Sequence, residues 1–220
     1  MIVKNGNFLK NKRLEEIDIA KGIGIILVIL GHAGNIPGKT FIYSFHMPLF
    51  FILSGMVMKK DTKGTTLIQR INDERKLIAA YLICSIAFLL FGCINLLLGY
   101  ENIIHLLGRT YQAVCLFGIS VLWFISCLAI AKIFVYEIKS KIINKKILAL
   151  FAGVLLLIGC TSFPVLELIK AVQILYYPIT AVVRAVFAAG FVLSGYLFKE
   201  TFYMSLRNLR GGTCYLQDFL

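Results

Sequence analysis

Leu77–Leu98, LIAAYLICSIAFLLFGCINLLL, runs for 22 residues without a single Lys, Arg, Asp, Glu or His. At 1.5 Å per residue a helix of that length is about 33 Å long, enough to cross the roughly 30 Å hydrocarbon core of a bilayer. The apolar run is continuous, with no ten-residue alternation, which argues for a helix over a barrel strand. Five further windows read the same way, at 17–33, 41–58, 116–135, 147–163 and 179–198. The first and fifth, at 17 residues each, need flanking residues or a thin bilayer to span. The expectation is an all-α, polytopic integral membrane helix bundle of about six transmembrane helices, forming a single membrane domain over residues 1–220.

The composition agrees. Of the 220 residues, 59% are hydrophobic and 15% charged, with a mean hydropathy of +0.84. Soluble domains are roughly 45–50% apolar and about a quarter charged. Burying this excess in one water-facing globule would leave too little polar surface, so the bilayer must supply much of the solvent. Disorder, collagen-like repeats and small disulfide scaffolds are excluded by the same arithmetic.

The net charge of +12 would suggest a nucleic-acid partner in a soluble chain. Here the positive-inside rule comes first, and no nucleic-acid partner is expected. Seventeen of the 23 basic residues fall in segment 1–16, loops 59–76 and 136–146, and the tail after 198. Only Lys39, Arg109 and Lys170 fall in the alternate loops, and Lys21, Lys132 and Arg184 lie within the windows. That alternation predicts cytoplasmic termini and a multi-pass protein of the plasma (inner) membrane. The first window is preceded by basic residues, as a signal peptide is. However, Asp18 and Lys21 interrupt its start and no small-x-small cleavage site follows, so it is expected to be retained. The six cysteines form no CxxC or Cys/His cluster, and no metal site is expected.

Ionisable groups inside apolar windows need a reason. Lys21 and His32 are eleven residues apart, close to three turns, so they share a face about 16 Å apart along the axis. Asp18, three residues before Lys21, can pair with it on that face. Lys21 alone would read as a snorkelling anchor, and His32 as an interfacial cap. His46 changes that balance. The short connection Gly34–Thr40, with Pro37 and Gly38, forces an antiparallel hairpin, which brings His46 to the depth of His32. An imidazole is a good general base near neutral pH. Arg184 lies in the outer half of the sixth window, where it would contact an anionic ligand, an oxyanion or a structural partner. Lys132 reads as a snorkelling anchor. Glu101, His105 and Arg109 recur every fourth residue, as on an interfacial helix or a substrate-facing lid. Trp123 is the only tryptophan, suited to the aromatic belt or to stacking on a sugar ring.

The stretch Ile17–Asn35, IDIAKGIGIILVILGHAGN, followed by Ser44–Lys60, SFHMPLFFILSGMVMKK, resembles the membrane-bound acyltransferase family 3, and within it the fucose 4-O-acetylase branch. Lys21 and His32 match the basic residue, ten-residue gap and histidine of that family's first helix. Phe45–Gly55 matches its F-H-M-P-L-F-F-x-L-S-G signature. Arg70, Arg75 and Lys76 stand where the family has a basic cytoplasmic loop, and Trp123-Phe124 resembles its later Trp-Phe. Ala80 stands before Tyr81 where relatives usually have proline. The resemblance implies an O-acyltransferase that moves an acyl group, commonly acetyl from acetyl-CoA, to a hydroxyl of a cell-surface or secreted saccharide. It implies that His32 is catalytic, with Lys21 and His46 in the family's other two positions. Arg70, Arg75 and Lys76 would then draw the anionic acyl-CoA, and Arg184, Trp123 and Asp18 would meet the substrate. Family members usually carry more helices, and the ending RNLRGGTCYLQDFL reads unlike another span, as in a truncated product or a compact variant. The competing classes are a transporter or flippase and an inactive acyltransferase-like module.

Overall fold

The computed structural model describes residues 15–33, 37–58 and 66–209, with side chains omitted at 200, 201 and 203–209. The basic segment 1–14, Lys59, Lys60 and Lys63 of the first loop, the side chain of Arg207, Arg210 and Cys214 lie outside the described residues. The helices are α1 (Glu15–His32), α2 (Lys39–Met56), α3 (Leu67–Asp73), α4 (Arg75–Leu97), α5 (Ile103–Val114), α6 (Trp123–Lys141), α7 (Lys145–Ile169) and α8 (Gln173–Leu209). A short 3₁₀ turn, Ser120–Leu122, leads into α6.

Every expected window falls mostly on a helix, with residues 116–119 lying before the 3₁₀ turn, but the six do not qualify equally as spans. Among the described residues, four stretches are long and apolar enough to cross a membrane: Arg75–Leu97, Ser120–Lys141, Lys145–Ile169 and Gln173–Lys199. That criterion supports a multi-pass helical protein and leaves the other two expected spans, α1 and α2, without the same support. The two that fall short, α1 and α2, have 18 residues each, about 27 Å of helix. They also carry the polar groups: Glu15, Glu16, Asp18 and Lys21 on α1, and Lys39, His46 and Pro48 on α2. Asp18, Lys21 and His46, which lower their hydropathy, are among the residues singled out from the sequence.

α8 is the hub, packing against α7, α2 and α6. Its buried face holds Ala185, Ala188, Ala189, Val192 and Leu193, and the three alanines let neighbouring backbones approach. The closest approach is to α2. A Cβ on Gly55 would overlap the Val192 carbonyl, and one on Gly195 would overlap the Ile52 carbonyl. On the other side, Phe187 fills the space at Gly159 of α7. Phe51, Cys127, Val135, Leu148 and Leu155 complete this core. Leu97, Leu150 and Leu168 are exposed, as lipid-facing residues of a bundle must be.

α1 rests on α2 through a narrow seam. Its buried residues are Ile17, Gly24 and Gly31, spaced by seven, as a helix lying along a neighbour requires. The Phe50 ring covers Gly24 and the Tyr43 ring covers Gly31.

At the opposite end from the α1–α2 turn, two ion pairs fasten α3 to α6. Arg70 is buried and meets Glu137 at 2.7 Å, while Lys132 meets Glu74 at 2.6 Å. Lys132 is thus a structural partner, where the sequence suggested a surface anchor. Thr66 and Gln69 cap α3 reciprocally. Arg70→Ala is expected to cost about 1–2 kcal/mol, below the usual cost of breaking a buried pair because Glu137 keeps contact with solvent. Thermal unfolding in detergent checks this. A fall of a few degrees in Tm is expected, and an unchanged Tm would refute a structural role.

Candidate active site

The α1–α2 hairpin turns at Pro37 and Gly38, whose φ of 83° suits glycine because it has no Cβ to clash. The turn brings the end of α1 beside the start of α2. His32 Nδ1 donates to the Val28 carbonyl at 2.8 Å, and His46 Nδ1 donates to the Ile42 carbonyl at 2.7 Å. A carbonyl oxygen can only accept, so Nδ1 carries the proton and each neutral ring keeps its lone pair on Nε2. The backbone therefore selects one tautomer at both positions.

Tyr43 joins the two. Its ring centroid is 5.6 Å from His32 and 5.3 Å from His46, edge-on to both, and Lys39 Nζ lies 5.8 Å from the same centroid. His46 is 2% exposed, whereas His32 is open. One imidazole is accessible to a substrate and the other is fixed in the packing. Both histidines flank Tyr43, and His32 is exposed at the end of α1, not packed into the bundle core. Pro48, two residues after His46, has no N–H to offer the Ser44 carbonyl, which loosens α2 beside the histidine.

Asp18 and Lys21 are half-buried near the other end of α1. Lys21 and His32 lie to one side of the Ile17–Gly24–Gly31 seam, as their spacing predicts. No ion pair joins Lys21 to Asp18 among the described residues.

The structure brings together two residues expected at the substrate. The Arg184 guanidinium sits 4.5 Å from the Phe117 ring centroid and 5.2 Å from that of Trp123. It is half-buried, and ring faces meet its charge. Phe117 stacks in turn on Tyr177 at 4.8 Å and Tyr176 at 6.0 Å. On the other side Trp123 touches Phe124, which packs 5.8 Å from Phe50 and 5.0 Å from Phe51. Phe50 lies one helical turn beyond His46, so a continuous aromatic path runs from Arg184 to the histidine-bearing helix.

The three basic residues expected at an acyl-CoA divide. Arg70 is buried in its pair with Glu137, whereas Arg75 and Lys76, at the start of α4, are exposed. On the α5 side, Asn102 caps the helix through the Ile104 N–H, and Arg109 folds back onto Glu101 at 3.1 Å. Sequence reasoning missed Tyr43 and Phe117. For Tyr43 a signal existed: it lies three residues before His46 in a hairpin that had already been read. Phe117 gave none, because its contact with Arg184 spans 67 positions.

Residues 14–211 match the family described as an acyltransferase domain, Acyl_transf_3. No curated protein and no solved structure matches the chain.

Proposed function

The chain belongs to the acyltransferase 3 family, and from that premise we propose that it is a membrane O-acyltransferase carrying acetyl from acetyl-CoA to a hydroxyl of a cell-surface or secreted saccharide. The observation that carries this reading is His32: an accessible imidazole with Nδ1–H tied to the Val28 carbonyl and Nε2 left as a base. Nε2 takes the proton of the sugar hydroxyl as its oxygen attacks the thioester carbonyl carbon. The carbon–sulfur bond then breaks, and the thiolate leaves with the proton held by His32, giving ester and free CoA thiol. His46 and Tyr43 hold the site's geometry.

Around that step, Arg75 and Lys76 attract the CoA phosphates, with Arg70 fixing the α3–α4 corner that presents them. Lys21, about 16 Å along α1 from His32, positions the donor near the cytoplasmic side, and Asp18 is its neighbour on that face. Trp123 offers a ring for the sugar's apolar face, and Arg184 offers hydrogen bonds to its oxygens. In this reading α1 and α2 also span the plasma (inner) membrane, giving six transmembrane helices with both termini cytoplasmic. Their interrupted hydropathy reflects residues that serve the reaction.

The test is incorporation of labelled acetyl from acetyl-CoA into membrane glycan by vesicles containing the protein. Transfer is expected, and the Arg75→Glu, Lys76→Glu double variant is expected to raise the KM for acetyl-CoA about tenfold with less change in kcat. Saccharide flux without acetyl-CoA consumption would replace the enzyme by a transporter. Absence of acetyl-CoA binding by well-folded protein would leave an inactive module.

A further inference from the structure

Two adjoining cavities open beside α5: one of about 640 Å³ where it meets α4 and the start of α8, and one of about 490 Å³ at the α4–α5 connection. His105 and Arg109 line both and form the ridge between them. The larger adds Phe91, Gln112 and Tyr177, and the smaller adds Glu101. Both fall in the 300–1,000 Å³ range of small-molecule sites. The Glu101–Arg109 pair lies over Gly92 of α4, where a Cβ would be in van der Waals reach of both charged side chains at 3.6 Å and would press on Leu106 at 2.8 Å.

The Glu101 side chain is 9% exposed, and its Oε2 accepts from Arg109 Nη1 at 3.1 Å. Its other oxygen, Oε1, is buried with no hydrogen-bond partner among the described residues. A buried carboxylate oxygen without a donor is costly. The charges of Glu101 and Arg109 cancel. A full anion entering the site would meet Glu101, and a full cation would meet Arg109. A neutral molecule with many hydroxyls can donate to the carboxylate and accept from the guanidinium, His105 and Gln112. The faces of Phe91 and Tyr177 suit the C–H side of a sugar ring.

We propose that this cleft binds a neutral saccharide, as a subsite for the sugars flanking the one that is acylated. The assignment of those sugars to an acceptor rests on the O-acyltransferase reading. Its link to the reacting end is the ring path: Tyr177 of the cleft touches Phe117, and Phe117 carries Arg184 beside Trp123. The site therefore selects chain composition away from the reacting hydroxyl.

The experiment is saturation-transfer NMR on the full chain in lipid nanodiscs, using neutral methyl glycosides of a hexose, a 6-deoxyhexose and an N-acetylhexosamine. Methyl glucuronide and glucosamine are the charged comparators. At least one neutral glycoside is expected to bind, more tightly than either charged sugar. His105→Ala and Gln112→Ala are each expected to weaken it about fivefold, the cost of one lost hydrogen bond. Neither side chain holds helices together, and an unchanged Tm verifies folding. Absence of binding by every neutral glycoside, equal binding of the charged sugars, or full binding by both variants would overturn the proposal. His32→Ala separates the two readings. Intact glycoside binding in that variant upholds the cleft whatever happens to catalysis, and a failed cleft alongside acetyl transfer leaves the enzyme reading standing.

Discussion

His32→Ala is expected to lower acetyl transfer to the saccharide by about 10²–10⁴-fold, the range for losing a positioned general base. The loss should appear in kcat, because the imidazole acts on the proton in flight, and the acetyl-CoA KM should move little. The tether explains why substitutes should fail. With Nδ1–H held by Val28, the ring presents Nε2 in one direction, and neither glutamine nor lysine reproduces a neutral nitrogen base there. His46→Ala should behave differently. That ring is buried, with Nδ1 committed to Ile42 and its edge against Tyr43, so its removal shifts Tyr43 and reduces transfer more modestly, together with a fall in Tm. Steady-state transfer kinetics of the two variants, with thermal unfolding alongside, check the division. Equal transfer by His32→Ala and wild type would remove His32 from the chemistry.

The second large effect concerns folding. Gly55→Ala places a methyl group onto the Val192 carbonyl, a backbone atom of α8 that no side-chain rotation can move aside. The helices must part, so the destabilisation should reach the upper end of the about 1–3 kcal/mol seen for overpacking. Gly195→Ala meets the Ile52 carbonyl at the same crossing and should cost as much. The two changes share one displacement, so their combination should cost less than their sum. Gly153→Ala is the control. A Cβ there meets nothing within 4 Å, and the gain in helix propensity makes it neutral or stabilising. Unfolding curves of the four variants in one detergent test this; a Gly55→Ala protein as stable as Gly153→Ala would mean that α2 and α8 do not cross where described.

Much of this was legible from local pattern. The window 77–98 became α4, Arg75–Leu97, because an uninterrupted apolar run leaves the backbone only one way to satisfy itself in lipid. The placement of His32 and His46 on adjoining arms of one hairpin was legible in the short Pro-Gly turn. Contacts between distant positions carry no periodic signature, so they were not legible. Nothing near Lys132 announces Glu74, 58 residues earlier, and Arg70 could not be told from Arg75 until Glu137 was seen beside it. The α1 window stands apart from the other spans for a related reason: its mean hydropathy averages the charged start of the helix with its isoleucines, although the helix itself continues through both.

The central position of α8 also sets an order of events during synthesis. α2, α6 and α7 all precede it in the chain, yet each makes extensive contact with it. At roughly 5–20 residues per second, on the order of ten seconds separates Gly55 from Gly195 at the ribosome. Through that interval the earlier helices lack their α8 partner and are held by their turns, the α1–α2 seam and the contacts of α6 with α2, α3 and α4. The docking of α8 is therefore the late step of assembly, and a ribosome stalled before it would leave helices with no keystone, ready for the membrane's quality-control proteases.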